Sequence, residues 1–242
     1  MDSSVKIFPT PYILAEKFAE ELSKMIKESG KRKKPFTVAL SGGSTPELLF
    51  SLLGDKYSNS VPWEFLHLFW GDERCVPPDK SESNFGMAKQ KFIDKIDIPA
   101  SNIHRIKGEN DPQSEADRYS NEISGFTEQR GGLPSFDLII LGLGEDGHTA
   151  SIFPGHLDLF SSDKICEVAT HPVTKQKRIT LTGRVINNSG VVAFLVTGIR
   201  KSEIIAGIMK KSPMALNFPA SYVVPVFGIL KWFIDEEAAN RL

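Results

Sequence analysis

The chain has 242 residues, 40% hydrophobic and 24% charged, enough for one large α/β domain or two small ones. Its formal net charge of −1 excludes a global electrostatic pull toward nucleic acid or acidic membrane, and no apolar stretch approaches the length of a membrane span. Cys75 and Cys166 make neither a disulfide framework nor a CxxC metal pattern, and Met1–Lys6 lacks a signal-peptide core, so a reducing, cytoplasmic home is expected.

Val5–Phe8 predicts a short strand closed off by Pro9 and Pro11. Ile13, Leu14, Phe18, Leu22, Met25 and Ile26 recur at helical spacing, with Gly30 as a fitting stop and Lys31–Lys34 as a solvated loop. Phe36–Leu40 is a strand, and Ser41-Gly42-Gly43-Ser44-Thr45-Pro46 opens the next helix, Pro46 suiting its first turn. Phe65–Trp70 is a strand ending in Gly71-Asp72-Glu73-Arg74, and Ser81–Met87 leads into a helix toward Ile96. A short strand at Ile103–Ile106, a helix over Glu115–Thr127 and a loop at Gly131–Pro134 follow. Phe136–Leu141 reads as a buried parallel strand without polar alternation. It runs into Gly142-Leu143-Gly144-Glu145-Asp146-Gly147-His148, after which Pro154-Gly155 leaves room only for a short helix. Lys177–Thr182 and Val191–Val196 are strands, the second closing on Thr197–Lys201 and a helix to about Lys211. Tyr222–Val224 and Gly228–Phe233 read as closing strands, with a helical tail. This alternation predicts an α/β fold: a mostly parallel, doubly wound, Rossmann-like sheet with helices on both faces and closing C-terminal strands. No linker breaks residues 1–242, so a single domain is expected.

Open α/β sheets bind ligands at the carboxyl ends of their strands, and four such ends here carry unusual chemistry. Ser41–Thr45 offers backbone N–H groups, hydroxyls and a helix N-terminus, which suit a phosphate; a tight turn with Ser44 or Thr45 as N-cap is the plainer alternative. It is neither a Walker loop nor a GxSxG elbow. Gly142, Gly144 and Gly147 match a dinucleotide fingerprint in spacing, but Glu145 and Asp146 would place negative charge where a pyrophosphate must lie. His148, beside Asp146 and Glu145, is the proton-transfer candidate among the five histidines. Asp72-Glu73-Arg74 follows an apolar strand directly, which favours a pocket over a surface ion cluster. Lys201 at a helix start opposes the helix dipole, a cost that an anionic ligand would offset.

Taken together, Ser41–Pro46, Trp70–Arg74 with Val76-Pro77, Ser81–Asn84, Gly142–Pro154, Arg178–Thr182 and Trp232–Asp235 resemble the 6-phosphogluconolactonase family, in the sugar-phosphate group that also contains glucosamine-6-phosphate deaminases. The resemblance spans nearly the whole chain. It implies hydrolysis of 6-phospho-D-glucono-1,5-lactone to 6-phosphogluconate in the oxidative pentose phosphate pathway. It implies no cofactor and no metal, and a small phosphosugar lactone as partner rather than nucleic acid or membrane. His148 would then be the general base, with Asp146 beside it, Arg74 stabilising developing charge and Asp72 orienting groups in the pocket. Gly42, Gly43, Ser44, Thr45, Lys201 and Arg200 would hold the phosphate. Arg178 matches a family block as either a ligand contact or a structural residue. In the deaminase branch an acidic residue follows the histidine by five positions; here that position is Phe153, which cannot move a proton. A non-catalytic sugar-phosphate sensor is the alternative of a different class, and the retained proton-transfer set argues against it.

Overall fold

Short apolar runs punctuated by glycine and proline set the architecture. The computed structural model describes residues 3–242. In chain order its elements are β1 (Ser3–Phe8), α1 (Pro11–Lys31), β2 (Phe36–Leu40), α2 (Ser44–Lys56), β3 (Leu66–Trp70), β4 (Asp72–Arg74), α3 (Asn84–Lys91), α4 (Pro112–Phe126), β5 (Glu128–Arg130), β6 (Leu133–Ser135) and β7 (Leu138–Leu141). They continue with β8 (Cys166–Thr170), β9 (Lys177–Leu181), α5 (Gly183–Asn187), β10 (Val191–Val196), α6 (Ser202–Met209) and β11 (Ile229–Asp235).

Six strands lie parallel in the order β1-β11-β10-β7-β2-β3. Every residue of β2 and β7 is buried, as central parallel strands covered on both faces require. From β2 the chain moves outward to β3, then returns to β7 on the other side of β2 and continues outward to β10. The strand order therefore reverses between β2 and β7, which makes their carboxyl ends the ligand crevice of this topology. That pair is tied at one end and open at the other. At the amino end the Thr37 N–H and hydroxyl donate to the Asp137 carboxylate at 2.8 and 2.9 Å, and the Asp137 N–H donates back to Thr37 Oγ1 at 3.0 Å. Toward the carboxyl end the ladder stops at Ala39 and Ile139.

The chain leaves the main sheet at Gly71, whose N–H donates to Leu40 and whose carbonyl accepts from Leu181, both at 2.8 Å. Asp72–Arg74 is thus a strand rather than a loop: β4 pairs antiparallel with β9, and β9 with β8, in a separate small sheet. The apolar core nevertheless runs continuously from Leu14 on α1 to Ala238 after β11. Tyr119 of α4 joins it to the site's approach strand, its hydroxyl accepting from the Trp70 N–H at 2.8 Å and donating to the Trp70 carbonyl at 3.0 Å.

Several local expectations change. Helix α1 passes through Gly30; a Cβ there would lie 3.0 Å from Pro62, so the glycine permits close packing, and Lys33 (φ +52°) makes the reversal. Ile103–Ile106 contributes only an isolated bridge from Ile103 to Leu68, and Gly131–Pro134 belongs to the β5–β6 hairpin. No helix follows His148 directly, because Thr149 and Ile152 bridge to each other. Tyr222–Val224 is not a strand: Pro219–Tyr222 is a 3-10 turn, and the Val224 N–H donates to Asn187 Oδ1 at 2.7 Å. A single C-terminal strand, β11, closes the sheet between β10 and β1, and the tail after it folds as turns. No helix among the described residues is long and apolar enough to cross a membrane.

Candidate active site

The crevice between β2 and β7 is a cleft of about 270 Å³. It is lined by the β2–α2 turn, the β7 loop, Asp72, Arg74 and Arg178 of the small sheet, and Thr197 and Lys201 after β10. Asn84, at the start of α3, completes the wall.

The loop after β7 presents the histidine. The Gly144 N–H donates to the His148 carbonyl at 2.8 Å, folding the loop back on itself. Asp146 Oδ1 accepts from the His148 N–H at 3.1 Å and lies 2.6 Å from His148 Nδ1. An ionised carboxylate can only accept, so Nδ1 carries the proton, and in the neutral ring Nε2 is the nitrogen with the lone pair. Burial is the largest single influence and opposes the Asp146 charge, but the His148 side-chain hydrogen bond, the His148 charge and the backbone N–H donors together outweigh it and hold the carboxyl down at about 2. A Cβ at Gly144 would collide with the imidazole, so only glycine allows this closure. Asp146 itself does not line the cleft; it stands behind the histidine.

Opposite lies a buried polar wall. Asp72 is 5% exposed, and its Oδ2 accepts from the Ser151 hydroxyl at 2.6 Å. The Ser151 N–H in turn donates to Thr180 Oγ1 at 3.2 Å, fixing the hydroxyl that orients Asp72. Glu73 points the other way, into the protein. Its carboxylate accepts from the N–H groups of Arg74, Asn84 and Phe85 at 2.7–2.8 Å and from the Ser83 hydroxyl at 3.1 Å. Burial pushes the Glu73 carboxyl up despite these four donors. The clamp positions Asn84, whose amide donates to the Asp72 carbonyl at 2.9 Å. It also fixes the backbone of Arg74, which reaches the Glu82 carbonyl through Nη1.

Arg74 and Arg178 stand directly opposite each other across the β4–β9 pair. Like charges so placed repel. Both Nε atoms are buried without a hydrogen-bond partner among the described residues, a costly arrangement unless an acceptor arrives. Burial lowers the Arg178 guanidinium from its ordinary value; Asp72 opposes that shift and Arg74 adds to it. The geometry is that of an anion receptor.

The far end of the cleft is the start of α2. Its N-cap is Gly43 (φ +105°), with no side chain to bond the first-turn N–H groups, so Ser44 and Thr45 are helical residues and neither is the cap. Thr45 Oγ1 instead lies 2.8 Å from Thr197 Oγ1. The Asp235 carboxylate accepts from the Gly198 N–H at 3.0 Å and so fixes the turn that presents Lys201. Burial lowers Lys201 from its ordinary value, against the pull of Glu145. Arg200 stands outside the cleft, its side chain 79% exposed and 3.2 Å from Glu145.

The structure therefore gathers His148, Asp72, Arg74, Arg178, Gly42, Gly43, Ser44, Thr45 and Lys201 around one cavity, with Asp146 behind it and Arg200 outside. Asn84, Ser151, Thr180 and Thr197 carry polar work that no spacing pattern assigns; Asn84, Ser151 and Thr180 do lie within recognisable blocks, whereas Thr197 is an ordinary strand-end threonine. Of the other histidines, His67 and His104 pair with each other at 3.0 Å, and His104 also bonds Glu122 at 2.9 Å.

A parallel α/β sheet with a switch-point crevice of this kind defines a protein built to receive a small anionic ligand. The family described as glucosamine-6-phosphate isomerases/6-phosphogluconolactonase matches residues 9–232, and the chain belongs to it. Within that family it falls in the 6-phosphogluconolactonase branch of enzymes. It is 39% identical over 236 residues to the 6-phosphogluconolactonase of Aggregatibacter actinomycetemcomitans, covering 97% of this chain and 98% of that one. The Haemophilus influenzae 6-phosphogluconolactonase is 39% identical over 238 residues, with the same coverage of 97% and 98%. The solved structure of 6-phosphogluconolactonase from Trypanosoma brucei superposes with a TM-score of 0.87 at 28% identity, covering 100% of this chain and 99% of that one.

Proposed function

We propose that the protein hydrolyses 6-phospho-D-glucono-1,5-lactone to 6-phospho-D-gluconate, the lactone step of the oxidative pentose phosphate pathway, by general-base activation of water. The observation that carries the mechanism is the 2.6 Å contact between His148 Nδ1 and Asp146, which leaves Nε2 as the proton acceptor. In this reading a water attacks the lactone carbonyl while Nε2 takes its proton. The carbonyl oxygen becomes an oxyanion, and the cleft-lining guanidinium groups of Arg74 and Arg178 stabilise it or grip the substrate's polar groups. Collapse of the tetrahedral intermediate breaks the bond from the carbonyl carbon to the ring oxygen, and the imidazolium returns its proton there. Asp72, held by Ser151, orients the sugar hydroxyls. The phosphate rests on the first-turn N–H groups of α2 with Ser44, Thr45 and Lys201. Arg200 adds only long-range charge. Residues 1–242 act as one domain, in keeping with the continuous core, and the two free cysteines suit the cytoplasm.

Phe153, where the deaminase branch has an acid, is 1% exposed and apolar, which supports lactone opening over deamination. The test is hydrolysis of freshly generated 6-phosphogluconolactone with the spontaneous rate subtracted, beside ammonia release from glucosamine 6-phosphate. Acceleration of the lactone alone is expected; ammonia release would overturn the reading.

A further inference from the structure

Phe153 does not line the cleft, yet it touches the groups that do. Its ring centroid lies 4.9 Å from that of His148, tilted by 47°. The Arg178 guanidinium carbon sits over the same ring at 5.6 Å. His171 meets it edge-on at 5.1 Å and 68°. Three cationic or cation-forming side chains, from the β7 loop, from β9 and from the β8–β9 turn, thus converge on one aromatic ring.

The arrangement is fixed from several sides. The Ile152 N–H donates to the Thr149 carbonyl at 3.0 Å, and the His156 N–H to the Phe153 carbonyl at 3.0 Å, so the backbone carrying the ring is closed on itself. The ring is buried, and a packed buried side chain keeps one rotamer. His171 Nδ1 accepts from the N–H groups of Val173 at 3.2 Å and Thr174 at 3.1 Å, which locks that imidazole in its turn with its proton on Nε2. The charged or titratable groups around the cluster are Asp146 from the β7 loop, Asp72, Glu73, Arg74 and Arg178 from the small sheet, His171, and Lys201 from the turn before α6.

Proton uptake by His148 would create an imidazolium near Arg178 and Arg74, a like-charge penalty offset by Asp146 beside the imidazole and by Asp72 beside Arg178. An aromatic face is electron-rich and attracts cations, which an aliphatic side chain of similar volume cannot do. We propose that Phe153 is a positioning residue: its ring holds the His148 imidazole and the Arg178 guanidinium in working orientation and favours the imidazolium that forms during turnover. This deepens, and rests on, the assignment of His148 as the general base.

The experiment compares Phe153→Leu and Phe153→Met with the unaltered protein and with His148→Ala, measuring lactone turnover across pH and thermal unfolding. Met is the second choice because its flexible chain repacks where Leu does not. Either folded aliphatic variant is expected to lose about tenfold in kcat, comparable to a modest misplacement of a catalytic group. The acidic limb of kcat/KM should also move down by about half a pH unit, the size of one lost cation–π contact. Loss of kcat with an unmoved or raised acidic limb would reduce Phe153 to packing and overturn the proposal. Wild-type kinetics in a folded variant would overturn it too, while an inactive His148→Ala leaves the general-base reading standing. An active His148→Ala would instead sink that reading and the proposal with it.

Discussion

Around the β7 loop and the small sheet the polar groups are interlocked: buried Asp72 on Ser151, Ser151 on Thr180, buried Glu73 on four donors, and the more exposed Asp146 on His148. At the α2 end they are open. The first turn there exposes backbone N–H groups over a side-chainless cap, and the nearby cations, Lys201 and Arg200, share one half-exposed carboxylate, Glu145. Under the proposed mechanism the difference matches two tasks. Proton transfer needs atoms held to a fraction of an ångström, which burial and multiple hydrogen bonds provide. Gripping a phosphate needs diffuse positive potential, which a helix terminus and a lysine supply without exact placement. Substitutions at the first end should therefore damage turnover, and those at the second end binding.

His148→Ala gives the sharpest separation. Activity should fall by at least about a hundredfold, the contribution of a positioned general base, while the Kd for 6-phosphogluconate changes by no more than about twofold. Calorimetry beside the lactone assay checks both halves. Near-normal turnover by the folded variant would erase the distinction.

Asp146→Asn is expected to lower kcat by about tenfold to a hundredfold by releasing the Nδ1 tautomer. Removing the carboxylate also removes support for the imidazolium, so the acidic limb of kcat/KM should move to lower pH. The sign for Asp146 itself is distinct. Its carboxyl is depressed to about 2, so the contribution of its pairing is present above the ordinary carboxylate value and is lost only as pH falls through about 2. The Asp146 charge does not titrate in the working range. A profile unchanged by Asp146→Asn would contradict its support for the imidazolium.

The smallest effects belong to the open end. Lys201→Ala should raise KM by about tenfold with little loss of kcat, one charge-assisted contact being removed. Arg200→Ala should change KM by less than about twofold, because the side chain is solvated and already paired with Glu145. A larger penalty at Arg200 than at Lys201 would reverse the assignment of the phosphate grip.

The contrast between the ends also explains what the chain discloses in linear form. Buried strands such as Val191–Val196 and Phe36–Leu40 are legible because both faces must be apolar, and the chemistry after them is legible because loops at strand ends can carry it. The small sheet was hidden. β4 is only three residues long, and the alternation in Lys177–Thr182 does not name its partner. Tyr222–Val224 has β-branched residues, but its backbone bonds go to Asn187 instead of a ladder, a tertiary outcome no local propensity contains. The face-to-face placement of Arg74 and Arg178, the Glu73 clamp on α3 and the shared Phe153 ring depend on contacts between distant segments, so spacing alone was silent on them.

In the proposed mechanism His148 keeps a free Nε2 lone pair because Asp146 holds the proton on Nδ1. Nitrogen-15 NMR of histidine-labelled protein, with His148→Gln assigning the resonance, reads that tautomer directly. A neutral His148 protonated at Nδ1 and unprotonated at Nε2 is expected. A neutral ring protonated at Nε2 would turn the lone pair toward Asp146 and contradict the mechanism.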